Sequence, residues 1–334
     1  MAAPSTRFGC GAFFLDTYPD RSKQPDTSMD FILRKPFLRR MAIALAMVVV
    51  LTACGTAAFQ HEESRLTFRV VRDTPGWYTG MPDGVEEFDL PVASGEAVEH
   101  IHAWWWPAAG GRADAPAILY LHGARWSLTG QLFRIEELRD FGFSVLAIDY
   151  RGFGKSDGDT PTEKTVYEDA HVAWDWLAAR QPDPKRRFIY GHSLGSAVAV
   201  DLAASLSRAD APAAEAPAAA GLIIESSFTT LEDMAKSLTY PWLPVGLLLT
   251  QKFDSMSKMA KVKLPVLVVH GAADRFVPAR FSEALYQAAA GPKKLLLIDG
   301  ATHNNSMRTG ALQYRHALAE LFGLGAAPRK TLTQ

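Results

Sequence analysis

The chain has 334 residues, of which 48% are hydrophobic and 21% are charged, a composition typical of a globular protein with a large apolar core. Its 35 Lys and Arg residues balance 36 Asp and Glu residues, giving a formal net charge of -1 at pH 7. Without an excess of positive charge, the composition argues against nucleic acid as a partner and favours a small neutral or amphipathic substrate. The two cysteines, Cys10 and Cys54, lie far apart and lack histidines at metal-ligand spacing, so we expect no disulfide framework, metal or cofactor.

Residues 1–53 are predicted to form an unstructured lead and a targeting segment, with Met29 as a candidate start. Basic residues at 34–40 precede the apolar run 41–53, the pattern of a secretory signal peptide, and this run is shorter than the roughly 20 residues of a spanning helix. LTACG at 51–55 resembles a bacterial lipobox, which would make Cys54 the lipidated first residue of a lipoprotein in the cell envelope, facing the periplasm or the exterior. An uncleaved single-pass N-terminal anchor is the alternative.

From Leu66 onwards, strand-like apolar runs alternate with helical segments. Two early strands are predicted over 66–72 and 100–107. The later strands are predicted over 117–123, 144–152, 186–191, 221–227, 265–271 and 294–300, and the helices over 128–142, 165–180, from 196, 280–290 and 314–322. This alternation predicts a mainly parallel sheet with helices on both faces, so that residues 54–334 form a single α/β domain.

Residues 228–262 are too numerous for a simple connection in a compact domain. They contain YPWLPVGLLLTQKF, whose bulky apolar side chains include Trp242, Leu243 and Leu247. Two interpretations stay open. These side chains either pack onto the core, or they belong to a small cap and line a hydrophobic acyl-binding pocket.

The segment GHSLG at 191–195 places one serine between two glycines, directly between a predicted strand and a predicted helix. In such a strained turn, Gly191 and Gly195 avoid collisions with neighbouring backbone, and Ser193 is raised above the end of the sheet. The free N–H groups at the start of the helix, among them that of Leu194, face the place where negative charge would develop. Ser193 is therefore the candidate nucleophile.

A serine nucleophile needs a histidine as base and a carboxylate to orient that histidine. Asp274 follows the predicted strand PVLVVHG, and His303 follows the predicted strand KLLLIDG. The chain order Ser193, Asp274, His303 is that of a hydrolase with a G-x-S-x-G elbow. Glu225, at the end of another strand, is the reserve candidate for the acid.

The motifs LYLHGA, DYRGFGKSDG, GHSLG, HGAADRFVP and GATH, spread in order over residues 117–322, resemble the α/β-hydrolase superfamily, in particular its compact branch of esterases, lysophospholipase-like and depalmitoylase-like serine hydrolases. The resemblance implies an α/β-hydrolase fold with a small cap insertion, and a Ser193-His303-Asp274 triad that cleaves a carboxylic ester or thioester through an acyl-enzyme. It also implies an oxyanion hole made by the backbone N–H groups of Leu194 and Ala124, although close relatives often carry an asparagine in the turn that contains Ala124.

The alternatives are a peptidase that acts on short peptides and a non-catalytic lipoprotein of the envelope that only binds a ligand, since a fold does not dictate a function. The expected partners are a small-molecule ester or acyl substrate, and the membrane through a lipid anchor or an N-terminal helix. The sequence predicts neither the acyl-chain preference nor the oligomeric state.

Overall fold

The computed structural model describes residues 55–112, 114–207, 218–238 and 245–324. The chain divides into two compact units, Met1–Ala57 and Ala58–Gln334. Cys54 and the apolar run before it lie outside the described residues. Within the described ranges, no helix has both the length and the apolar character needed to cross a membrane.

A mixed sheet forms the centre of the larger unit, with its strands in the order β1-β2-β4-β3-β5-β6-β7-β8. Strands β3 to β8 pair in parallel, whereas β2 is antiparallel to both β1 and β4. The mainly parallel sheet expected from the sequence is confirmed. The strands are β1 (Glu86–Ser94), β2 (Ala97–Trp106), β3 (Ala117–Leu121), β4 (Ser144–Ile148), β5 (Arg187–His192), β6 (Gly221–Glu225), β7 (Val266–Gly271) and β8 (Lys293–Ile298).

Helices cover both faces of this sheet, because successive side chains of a strand point to opposite sides. The described helices are α1 (55–68), α2 (Leu128–Asp140), α3 (Glu163–Arg180), α4 (Leu194–Leu206), α5 (Leu231–Leu238), α6 (Val245–Leu248), α7 (Ser255–Met259), α8 (Ala279–Ala288), α9 (Ser306–Thr309) and α10 (Ala311–Phe322). Along β3, Leu119 and Leu121 belong to one core with residues of α3, α4 and α8, whereas Ile118 and Tyr120 belong to the other core with residues of α2 and α10.

The strand predicted over 66–72 is wrong, because residues 55–68 are helical and only Val71 makes a strand-like bridge, to Trp126. Tertiary contacts hold this helix: the buried carboxylate of Glu63 accepts hydrogen bonds from the backbone N–H groups of Thr250 (2.9 Å) and Gln251 (3.0 Å). Edge strand β1 was not predicted, because its polar residues lack a buried strand's apolar run. At Pro91 the missing N–H is tolerated at the edge of the sheet.

Candidate active site

The serine elbow joins the end of β5 to the start of α4. Ser193 has φ 53 and ψ -121, a backbone conformation that side-chain-bearing residues rarely adopt. A Cβ at Gly191 would lie 2.3 Å from the carbonyl oxygen of Gly195, and a Cβ at Gly195 would lie 2.2 Å from that of Leu121. Both glycines are therefore required by the close approach of backbone to backbone, as the sequence pattern indicated.

Asp274 and His303 meet at the same edge of the sheet, on the loops that follow β7 and β8. His303 Nδ1 lies 2.7 Å from Asp274 Oδ2, while Asp274 Oδ1 accepts hydrogen bonds from the backbone N–H groups of Phe276 (2.8 Å) and Val277 (3.0 Å). Burial favours the protonated acid, but hydrogen bonds from His270 and His303 and those backbone N–H groups outweigh it, so the pKa of Asp274 lies well below its ordinary value. The carboxylate is therefore ionised and able to orient the imidazole.

The loop of His303 packs against the residue that precedes Ser193. The His192 and His303 rings have centroids 4.9 Å apart, and His192 Nε2 lies 2.9 Å from the carbonyl oxygen of His303. Since β5 to β8 are neighbouring parallel strands, their carboxyl ends share one edge of the sheet. Ser193, Asp274 and His303 therefore follow strands that end at one edge of the sheet, where His303 contacts Asp274 directly.

The turn after β3 passes beside the serine. A Cβ at Gly123 would lie only 3.1 Å from the Cβ of Ser193, which places the backbone of Ala124 next to the elbow. Within this turn, Arg125 has a strained backbone conformation with φ 83. Two hydrogen bonds hold it there, because the Arg125 N–H donates to the Phe68 carbonyl (2.9 Å) and the Val71 N–H donates to the Arg125 carbonyl (2.7 Å). Leu194 is the first residue of α4, where an N–H has no acceptor within the helix.

Glu225, the reserve candidate for the acid, has other partners. Its carboxylate accepts hydrogen bonds from the hydroxyl groups of Tyr190 (2.9 Å) and Tyr314 and lies 3.7 Å from Arg134. Its backbone carbonyl accepts the N–H of Ser193 at 2.9 Å. Asp274, and not Glu225, is the carboxylate that contacts His303.

The cap-like segment offers one described candidate for the pocket. Leu247 on α6 is 86% exposed, whereas Trp242 and Leu243 lie outside the described residues.

Sequence reasoning missed Phe276, which is 66% exposed and whose ring centroid lies 5.7 Å from that of His303. The sequence feature that points to Phe276 is its place two residues after Asp274, in the loop that carries the candidate acid. Across the described ranges, no group of three or more His, Cys, Asp or Glu could hold a metal ion.

Known proteins share this sequence pattern. A family model described as serine aminopeptidase, S33, matches residues 113–258. An uncharacterized protein of Mycobacterium tuberculosis is 33% identical over 270 residues, which cover 80% of this chain and 90% of that protein. The lysophosphatidylserine lipase ABHD12 of Danio rerio is 33% identical over 221 residues, which cover 61% of this chain and 54% of that protein.

Solved structures share the fold. The Pyrococcus furiosus esterase Pf2001 matches with a TM-score of 0.56 and 22% identity, over 77% of this chain and 99% of that one. This chain belongs to the family of the Mycobacterium tuberculosis protein, and it has the α/β-hydrolase fold. An α/β-hydrolase from Vibrio vulnificus matches with a TM-score of 0.58 and 19% identity, over 81% of this chain and 94% of that one. The fold class and the resemblance to the α/β-hydrolase superfamily expected from the sequence are thereby confirmed.

Proposed function

We propose that the chain is a serine hydrolase that cleaves a carboxylic ester or thioester through an acyl-enzyme intermediate. The observation that carries this proposal is the 2.7 Å contact between His303 Nδ1 and the buried Asp274, at the sheet edge where the elbow raises Ser193. The names of two relatives, a lipase and an esterase, support ester substrates.

In the proposed first half-reaction, the Nδ1–H of His303 donates to the ionised Asp274, which leaves Nε2 free to accept the proton of Ser193. The serine oxygen attacks the carbonyl carbon. The tetrahedral oxyanion then accepts hydrogen bonds from the N–H groups of Leu194 and Ala124, each worth about 3 to 4 kcal/mol in such a site. Collapse breaks the bond to the alcohol or thiol, which leaves with the proton held by His303.

In the second half-reaction, His303 takes a proton from water as the water oxygen attacks the acyl-enzyme. A second tetrahedral intermediate collapses, the carboxylic acid leaves, and Ser193 regains its proton from His303. The positive end of α4 favours the negative charge in both intermediates. Each step needs only groups that the chain and water supply.

The proposed substrate is an amphipathic ester with one acyl chain. The relative from Danio rerio is named a lysophosphatidylserine lipase, and the exposed ring of Phe276 provides apolar surface beside His303. An apolar side chain that stays exposed next to a reactive imidazole can cover part of an acyl chain, since burying such a ring stabilises the complex by roughly 1.5 to 3 kcal/mol.

A peptidase that acts on short peptides is the second candidate, because the matching family model is described as serine aminopeptidase. The test is a panel of p-nitrophenyl esters of increasing chain length, an acyl-thioester and an aminoacyl amide, assayed with the full chain and with Ser193→Ala. We expect hydrolysis of esters and thioester but not of the amide, and loss of turnover in the variant. Faster turnover of the amide would favour the peptidase, and inactivity together with no labelling of Ser193 by a fluorophosphonate would favour a non-catalytic binding lipoprotein.

A further inference from the structure

A buried ionic pair lies behind the candidate active site, and the proposed mechanism does not use it. Arg134 on α2 is 1% exposed and Glu225 at the end of β6 is 0% exposed. The Arg134 Nη2 atom lies 3.7 Å from Glu225 Oε1, 3.4 Å from the carbonyl oxygen of His303 and 3.0 Å from His192 Nε2. One guanidinium therefore contacts the loop that carries the base and the residue that precedes the nucleophile.

Glu225 connects the same pair to the serine. Its backbone carbonyl accepts the N–H of Ser193, and its side chain is held by the hydroxyl groups of Tyr190 and Tyr314 as well as by Arg134. Burial and then the nearby Glu225 raise the pKa of both tyrosines well above the ordinary value, so both hydroxyl groups keep their protons and donate them. The pair therefore spans the two backbone segments whose separation sets the distance from Ser193 to His303.

His192 completes the connection as a neutral ring. Burial, and after it the charge of Arg134, holds the pKa of His192 well below its ordinary value. The neutral Nε2 either accepts a hydrogen bond from Arg134 or, in the other tautomer, donates one to the carbonyl oxygen of His303. In the first tautomer Arg134 alone donates to the carbonyl oxygen of His303, and in the second His192 donates to it as well. In both cases the imidazole of His303 remains free for chemistry.

Stability alone does not explain this pair. Removing two charges from water costs so much that well-packed apolar residues in place of a buried ion pair are often neutral or stabilising. A merely structural requirement at this place would therefore be met by an apolar pair. The contact of Arg134 with both His192 and His303 indicates instead a role in the geometry of the site.

We propose that Arg134, held by Glu225, is a positioning residue that fixes the backbone of His303 relative to Ser193. This inference rests on the proposed function, because the geometry matters only if His303 serves Ser193 as its base. A displacement of about 1 Å between reacting groups can cost about 100-fold in rate. The loss of this contact is therefore expected to lower kcat and to leave the binding of substrate, and thus KM, nearly unchanged.

The test uses the full chain with Arg134→Met combined with Glu225→Gln, which removes both charges and keeps an amide oxygen for the tyrosines. Arg134→Lys keeps the charge but loses the planar fork. Arg139→Met is the matched control on the same helix, because Arg139 donates to the Pro107 carbonyl at 2.8 Å and stacks on Trp106. The measurements are kcat and KM for p-nitrophenyl butyrate, thermal unfolding, and amide hydrogen exchange over 299–305.

We expect the double variant to fold, to lose about 10- to 100-fold in kcat with KM within about twofold of wild type, and to exchange faster over 299–305. Arg134→Lys should give an intermediate kcat, and Arg139→Met should keep the wild-type kcat and exchange. A folded double variant with wild-type kcat and unchanged exchange overturns the inference. Should the double variant not fold, a wild-type kcat in Arg134→Lys overturns it.

The two failures are distinguishable. A wild-type chain that neither hydrolyses the ester nor reacts with a fluorophosphonate overturns the proposed function, and this inference with it. A reactive wild-type chain whose variants at Arg134 keep full kcat overturns the inference alone.

Discussion

The carboxylate of Asp274 lies 2.7 Å from Nδ1 of His303, although 29 residues separate the two in the chain. The carboxylate is fixed independently of the histidine, because its other oxygen accepts the backbone N–H groups of Phe276 and Val277. The orientation of the imidazole therefore follows from the loop after β7. If His303 is the base, the acid that holds it is built into this loop before any substrate arrives.

Replacement of Asp274 by asparagine tests this arrangement. Asp274→Asn keeps the shape of the side chain but offers an amide in place of the carboxylate, which favours the wrong tautomer of His303. We expect kcat for ester hydrolysis to fall by about 10⁴-fold with the fold intact. Asp299→Asn is the matched control, since Asp299 is an exposed aspartate on the approach to the same loop. A loss of less than tenfold in Asp274→Asn would contradict the role of Asp274.

The depressed pKa of Asp274 also predicts how stability depends on pH. Burial raises this pKa, but hydrogen bonds from His270 and His303 lower it by more than burial raises it, so the net shift is downward. A carboxyl whose pKa is lower in the folded state stabilises the fold at pH above about 4, its unfolded value, and this contribution is lost as pH falls toward the folded value. Urea unfolding between pH 5 and 2 should therefore show a smaller loss of stability in Asp274→Asn than in wild type. Equal slopes in the two proteins would count against the prediction.

The strain at Ser193 predicts an opposition between activity and stability. A side-chain-bearing residue at φ 53 and ψ -121 is strained, and such strain costs roughly 1 to 3 kcal/mol. Ser193→Ala and Ser193→Gly should both abolish turnover and fluorophosphonate labelling. Only the glycine relieves the strain. In urea, the free energy of unfolding of Ser193→Gly should therefore be about 1 kcal/mol higher than that of Ser193→Ala. Equal stability of the two variants would show that the elbow stores no strain.

The sequence predicted those features that depend on neighbouring residues. Buried parallel strands such as β3 and β4 are visible as short apolar runs. The elbow is visible because a glycine lies two residues before Ser193 and another two residues after it. Helix α1 was predicted wrongly as strand over 66–72, because its conformation depends on contacts from Glu63 to Thr250, 187 residues away. No local pattern carries that information.

Arg134 shows the same limit within the candidate site. In the sequence it is one of several charged residues of an amphipathic helix, where an exposed position is the ordinary expectation. Its burial follows from partners 58 and 169 residues away, His192 and the carbonyl of His303. Phe276 is similar, because its contact with the His303 ring arises only when the loops after β7 and β8 meet.

Cys54 gives a prediction that depends only on the sequence. A lipobox ending at Cys54 predicts that cells expressing the chain attach lipid to this thiol. Labelling with an alkyne analogue of palmitate should mark the wild-type chain and Cys10→Ser, but not Cys54→Ser. Label that persists in Cys54→Ser would contradict lipidation at this cysteine, and an uncleaved chain without label would favour the single-pass anchor.

Phe276 predicts a dependence of activity on acyl-chain length. Its ring is 66% exposed and faces the ring of His303, so a long acyl chain that leaves Ser193 along this side would bury it. Phe276→Ala should raise KM for a p-nitrophenyl decanoate by about 10-fold, since the lost apolar contact is worth roughly 1.5 kcal/mol, while kcat and the hydrolysis of the acetate stay near wild type. The acetate is the internal control, because its acyl group is too short to reach the ring. An equal rise in KM for both esters would contradict a contact between the Phe276 ring and the acyl chain.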